Sequence, residues 1–165
     1  MRLRADTCEL PGGRTISPYY VIEEFEWVHV VAVKDTGDVL TVRQYRHAAS
    51  TVCMELPGGM VDVGEEPLAA ARRELHEETG HIATSWDKIG CFWANPARQN
   101  NRVHVFLASG LTKSGAQSLD ESEEIAWAFV TQQEVIEQIR AGAFSQALHI
   151  ASFYAARERL ADLKG

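Results

Sequence analysis

Cysteine is scarce in this sequence, and no pattern exists for using it. Cys8, Cys53 and Cys91 are the only three. They are odd in number, form no CxxC pair, and have no His or Cys at a zinc-finger interval. A disulfide framework and a thiolate metal centre are thereby excluded, and the thiols read as buried or incidental groups of a reducing compartment. Positive charge is also short: 16 Lys and Arg face 23 Asp and Glu, a formal charge of −7. General binding of nucleic acid or of acidic membrane uses the opposite, a net basic surface. A small anionic substrate is still compatible, because local arginines or a bound cation can attract it against the global field. Long apolar runs are missing too. The longest, around residues 28–33, is broken by His29 and falls far short of a membrane span. Met1, Arg2, Leu3, Arg4, Ala5 and Asp6 bring charge with no apolar stretch behind it, so a secretory leader is not expected and a cytoplasmic location is.

What is present belongs to an ordinary globular chain: 45% hydrophobic and 24% charged residues in 165, enough to bury a substantial core. Without repeats, low-complexity tracts or a Pro/Ser-rich linker, one domain over 1–165 is expected. Residues 2–8 and 19–26 read as strands around the Pro11-Gly12-Gly13 turn. Trp27–Val33 and Val39–Tyr45 read as a hairpin joined by residues 34–38, and residues 52–56 as a short strand. The clearest helix follows Gly64: Pro67 suits its first turn, Leu68, Ala71 and Leu75 recur at helical spacing, and Gly80 is a stop. Strands are expected at about 87–94 and 102–108, a polar loop at 109–123, and a strand at 124–130. Thr131 with Glu134 forms a capping box opening a helix to about Ala141, and Ser145 caps a last helix. Grouped strands with helices in the middle and at the end predict a mixed α/β (α+β) fold, a mixed sheet covered by helices on both faces.

The chemistry concentrates on the first helix. Glu74, Glu77 and Glu78 stand at i, i+3 and i+4, which puts three carboxylates on one face. Such a row repels itself, and a solvated acidic face is the plain reading of three glutamates alone. A cation removes the conflict. Carboxylate oxygens without Cys or well-placed His make Mg²⁺ or Mn²⁺ the expected ion, shared with substrate phosphates. The neighbours favour this reading. Gly58 and Gly59 let the backbone approach a ligand, Glu65 lies near the positive helix start, and Arg73 can hold Glu77 four residues on.

These residues give the chain its resemblance. The segment GMVDVGEEPLAAARRELHEETGH (59–81) is similar to the Nudix box, with Gly59, Glu65, Arg73, Glu74, Leu75, Glu77, Glu78 and Gly80 in register. At a usage of about 7% per residue type, seven fixed identities match by chance in roughly one window in 10⁸. His81 departs from the box, standing where an aliphatic residue is usual. The resemblance implies the Nudix fold, an α/β/α sandwich. It also implies divalent ions held by Glu74, Glu77, Glu78 and the Gly59 carbonyl, with Arg73 orienting a carboxylate and Glu65 in support. LPGGR (10–14), VRQYRH (42–47), Pro96, RVHVFLA (102–108) and residues 139–160 resemble the ADP-ribose pyrophosphatase branch. That branch implies Arg46 as a diphosphate contact, Glu121 or Glu123 equally as general base, and a homodimer in which the strands of residues 1–26 take part. Its expected substrate is ADP-ribose or a related nucleoside diphosphate sugar. Alternatives are a nucleoside triphosphate, a dinucleotide such as NADH or a dinucleoside polyphosphate, and a nucleotide-sensing domain without turnover. Two features depart from the branch: Pro-Gly-Gly replaces the usual Pro-Ala-Gly, and an Arg- and Asn-rich loop follows Pro96. Arg98 and Arg102 in that loop are candidate phosphate contacts. Trp27, Trp93 and Tyr20 read as core aromatics, with stacking on a base as the alternative. His29, His47 and His104 read as structural.

Overall fold

The structure, a computed structural model, describes residues 1–121 and 123–162; Ser122 of the acidic loop lies outside them. The chain opens with an antiparallel hairpin of β1 (Arg2–Glu9) and β2 (Thr15–Glu23). Its turn closes where Pro-Gly-Gly predicts, the Gly13 amide donating to the Leu10 carbonyl at 2.8 Å. Then come β3 (Trp27–Ala32), β4 (Val39–Arg46), a 3₁₀ turn at His47–Ala49, β5 (Thr51–Glu55) and the short β6 (Gly58–Met60). Helix α1 (Pro67–Thr79) precedes β7 (His81–Trp93), β8 (Arg102–Lys113) and β9 (Ile125–Val130), and α2 (Gln132–Ala141) and α3 (Ala147–Asp162) follow.

One sheet has the order β6-β3-β8-β7, the other β5-β4-β9. β3 runs parallel to β8 and antiparallel to β6, so the larger sheet is mixed. Both parallel strands read as near-continuous hydrophobic runs because both faces of this sheet are covered. Val28, Val30 and Ala32 meet Ala70, Ala71 and Leu75 of α1 on one face. Val31 and Val33 meet Phe153, Ala156 and Leu160 of α3 on the other. Burying each large aliphatic side chain contributes about 1.5–3 kcal/mol, so this central strand fixes both helices against the sheet. The expected class, mixed strands between helices, is the one observed. Among the described residues, no helix is long and apolar enough to cross a membrane.

Local departures concern strand ends. β2 starts at Thr15 rather than at 19, and β7 starts at His81, directly after the helix stop. β8 continues to Lys113, through residues read as loop, because Ser109, Leu111 and Thr112 pair with Ser85, Ala83 and Ile82 of β7. β7 is an outer strand, so its partner's end is half exposed and can carry polar residues while keeping its ladder. The expected capping box is present: the Glu134 amide donates to Thr131 Oγ1 at 3.1 Å, and the Thr131 amide to Glu134 Oε2 at 2.7 Å.

Candidate active site

Helix α1 is set by local rules and aimed by its buried face. Pro67 occupies its first turn, and Gly80 ends it at φ 69°, donating its amide to the His76 carbonyl at 2.7 Å. This left-handed position suits a residue without a side chain. With Ala70, Ala71 and Leu75 against the sheet, Glu74, Glu77 and Glu78 turn to a cavity of about 370 Å³ beside β6 and β4. Asp62, Asp120 and Glu123 line the same cavity, against two cations, Arg46 and Arg73.

Arg73 binds the acidic row together. Its guanidinium donates to Glu65 (3.0 and 3.1 Å), Glu74 (2.9 Å), Glu77 (3.1 Å) and the Met60 carbonyl (3.0 Å). The Arg73 bonds hold the Glu65 carboxyl below its ordinary range. Glu78, only 4% exposed, accepts the Gly58 amide at 2.9 Å. Burial pushes the Glu74 carboxyl upward and the Glu78 carboxyl well upward, and each like-charged neighbour adds to the rise. These carboxylates are charge-poor in partners by construction.

Beneath Arg46 the opposite holds. Arg46 ends β4 and reaches across to Glu55, the last residue of the paired strand β5, donating from Nε (3.1 and 3.2 Å) and from a terminal nitrogen (2.5 Å). Glu55 is 1% exposed, and His149 Nε2 of α3 lies 3.7 Å from it. His149 Nδ1 accepts the Leu56 amide at 3.1 Å, so its proton sits on Nε2, facing Glu55. His149 stacks on His29 with ring centroids 3.8 Å apart. His29 Nδ1 lies 2.9 Å from Ser152 Oγ, and that hydroxyl donates to the Leu148 carbonyl, so the histidine is the donor in this bond. Burial holds both rings neutral: the His149 pKa is pushed down to about 3, and that of His29 well below its ordinary value.

The structure gathers Gly58, Gly59, Arg46, Arg73, Glu74, Glu77, Glu78 and Glu123 around one cavity. Glu121 is exposed and not among the residues lining it. Arg98 and Arg102 do not line it either. The Arg102 guanidinium lies over the Trp93 ring at 4.3 Å, and Arg98 is a surface residue whose carbonyl accepts the Ile22 amide. Trp93 and Tyr20, expected in the core, are about half exposed because they sit on outer strands, whereas Trp27 lines the cavity. Gln44 and Ser118 line it without having been singled out, and Glu55 supports it from below. Their signal is non-local, since only the β4–β5 pairing sets Glu55 beneath Arg46.

The donor set fits a hard divalent cation. The carboxylates supply oxygen alone, and the backbone of Gly59 lies so close to Glu74 that a Cβ there would overlap its carboxylate. Among the described residues no three His, Cys, Asp or Glu side chains form a ready-made chelating group. Arg73 draws Glu74 and Glu77 to itself while Glu78 turns to Gly58.

A sequence model of the NUDIX domain matches residues 26–151. The chain belongs to the Nudix hydrolase family. A second model, described as a nucleoside diphosphate sugar hydrolase N-terminal domain, matches residues 1–22. The chain is 35% identical over 138 residues to an ADP-ribose pyrophosphatase of Bacillus subtilis (strain 168), covering 83% of this chain and 74% of that protein. It is 38% identical over 122 residues to an ADP-ribose pyrophosphatase of Mycobacterium tuberculosis (strain ATCC 25618 / H37Rv), covering 73% and 58%. A methanol dehydrogenase activator of Bacillus methanolicus is 31% identical over 141 residues, covering 85% and 76%. The fold superposes on the crystal structure of an ADP compounds hydrolase with a TM-score of 0.84, at 20% identity and covering 97% of this chain and 86% of that one. Use of a divalent metal is general among Nudix hydrolases.

Proposed function

We propose that this Nudix hydrolase cleaves the diphosphate bond of ADP-ribose or a related nucleoside diphosphate sugar, giving a nucleoside monophosphate and a sugar phosphate. The observation that carries the reading is the meeting of the α1 carboxylates and Gly59 with Arg46 in one cavity, in a chain related over most of its length to two ADP-ribose pyrophosphatases.

Glu74, Glu77, Glu78 and the Gly59 carbonyl would hold Mg²⁺ or Mn²⁺, which when bound supplies neutralisation of the diphosphate and acidification of water. Arg73 keeps Glu74 and Glu77 in place through its bonds to both. Arg46, with two of its nitrogens fixed on Glu55, is oriented to meet a diphosphate oxygen with what remains of its guanidinium. Glu123 takes a proton from the attacking water, as the loop acid that lines the cavity. The water oxygen bonds to one phosphorus, the bond from that phosphorus to the bridging oxygen breaks, and the second phosphate leaves with that oxygen.

The chain is read as one Nudix unit, in the cytoplasm, where its three free cysteines suit a reducing environment. A homodimer through the N-terminal hairpin is supported by the exposed apolar side chains of Leu3 and Tyr20 there, and of Phe25 beyond it. A panel of diphosphate sugars, nucleoside triphosphates and dinucleotides, assayed with Mg²⁺ and with Mn²⁺, tests the activity. Turnover of ADP-ribose or another diphosphate sugar above the rest is expected. A strong preference for a triphosphate, or no turnover of any nucleotide with either metal, overturns the reading.

A further inference from the structure

The loop between β8 and β9 lies against the C-terminal end of α1. A helix ends in carbonyls that no amide of its own reaches, and this loop supplies donors to them. The Ser118 amide donates to the Glu77 carbonyl at 2.9 Å, and the Ser114 and Gly115 amides donate to the Gly80 carbonyl at 2.8 and 3.2 Å. The fit is close, since a Cβ on Gly80 would overlap the Gly115 carbonyl oxygen. One side chain completes the anchoring. Gln117 Nε2 donates to the Glu78 carbonyl at 2.6 Å and to the Ile125 carbonyl at 2.9 Å. Both partners are acceptors only, so the amide nitrogen is the end that faces them, and its two protons are both used. Glu78 stands on the last turn of α1, with its carboxylate at the cavity. Ile125 is the buried first residue of β9, eight residues along the chain from Gln117. Between them lie Asp120 and Glu123, which line the cavity. The Glu123 amide donates to the Asp120 carbonyl at 2.9 Å, and the Asp120 amide donates to Glu123 Oε2 at 3.3 Å.

We infer that Gln117 is a positioning residue for the hydrolysis, fixing the loop acid Glu123 in the cavity relative to the α1 carboxylates. The inference rests on the reading above, in which Glu123 takes the proton of the attacking water. A base works only within hydrogen-bond reach of that proton, and a misplacement of about 1 Å can cost about 10²-fold in rate. A loop acid keeps such a place when both ends of its segment are fixed. The Gln117 amide fixes them with one nitrogen: its bond to Glu78 sets the start of the segment on the helix that carries the cavity's carboxylates, and its bond to Ile125 closes the segment on β9. A residue that merely capped α1 would act on stability and leave the chemical step alone, because Gly80 already ends the helix through the His76 carbonyl.

The test measures kcat and KM separately for the full-length protein with Mg²⁺ and ADP-ribose. Gln117→Met, similar in length and without a donor, is expected to lower kcat by about 10- to 100-fold, with KM within about twofold of wild type. Should that variant fail to fold, Gln117→Asn, which keeps the donors but withdraws them by one methylene, takes its place with the same expected loss. In a Glu123→Gln background the same change should cost less than about a further twofold, since the acid it places is already gone. An unchanged kcat overturns the proposal, as does a loss carried by KM. So does a loss in the Glu123→Gln background as large as in wild type. If no diphosphate sugar is turned over, or if Glu123→Gln stays near wild type, the functional reading fails, and the clamp is read by hydrogen exchange instead. The Ser118 and Glu123 amides should then exchange faster in Gln117→Met by about tenfold or more, and equal exchange removes the clamp.

Discussion

Two charged regions lie side by side in this molecule and obey opposite rules. Along Glu55, His149 and His29, under Arg46, every buried charge and ring nitrogen that the bonds define has a counterpart, so the group is matched and quiet. On α1 the carboxylates outnumber their partners. One guanidinium serves Glu65, Glu74 and Glu77, and Glu78 has a single backbone amide. A fold does not keep a buried surplus of one sign for its own stability, because desolvation and repulsion both oppose it. The matched region holds the fold together, and the unmatched region is the one proposed above to hold what the enzyme binds.

The sharpest way to break this contrast is Glu78→Gln. Turnover should fall on the order of 10³-fold, beyond the roughly 10–100-fold of changes to outer-sphere partners, while the thermal midpoint holds or rises because a buried uncompensated charge has gone. A large drop in midpoint, or near wild-type turnover, would place Glu78 among the structural residues. Next comes Glu123→Gln, with an expected loss of about 10²-fold or more in kcat and little change in KM, set against Glu121→Gln near wild type. Equal effects would mean that neither acid is the base.

The matched region should answer differently. Glu55→Gln removes the counter-charge of a half-buried arginine, and a stability loss of about 2 kcal/mol in urea unfolding is expected, with weaker substrate binding as Arg46 loses its hold. An unchanged protein would show that the Arg46 guanidinium does not need Glu55. The smallest effect concerns pH. His149 and His29 have pKa values lowered in the folded state, so the unfolded chain takes up protons first as pH falls below about 6.5, and stability is lost in that direction. Per histidine the slope is about 1.4 kcal/mol per pH unit, extending toward pH 3 for His149. Glu74 and Glu78, whose carboxyls are raised, act in the opposite sense and lose stability as pH rises. Unfolding curves of His149→Asn, whose amide oxygen can still accept the Leu56 amide, should therefore show a flatter acid limb than wild type between pH 6.5 and 5. Parallel limbs would show that the ring is not the proton acceptor.

What could be read in advance was what short spacing encodes. The α1 face, its proline start and glycine stop, the Thr131–Glu134 box and the Arg73–Glu77 pair all lie within a few residues of one another. The extension of β8 was missed because Ser109, Gly110 and Thr112 look like a loop until β7 supplies their ladder. Glu55 gave no signal because its partners sit on β4 and α3. Even Arg73 was only partly legible: its bond to Glu77 follows from the helix, while those to Glu65 and Met60 require the preceding loop to fold back.

The contact between Gly59 and Glu74 limits how this pocket can change over generations. Even a methyl group at residue 59 would meet the Glu74 carboxylate, so a side chain there is accommodated only as that carboxylate swings aside. A change at residue 59 is therefore felt first in where the Glu74 carboxylate lies, and only through it in the rest of the cavity.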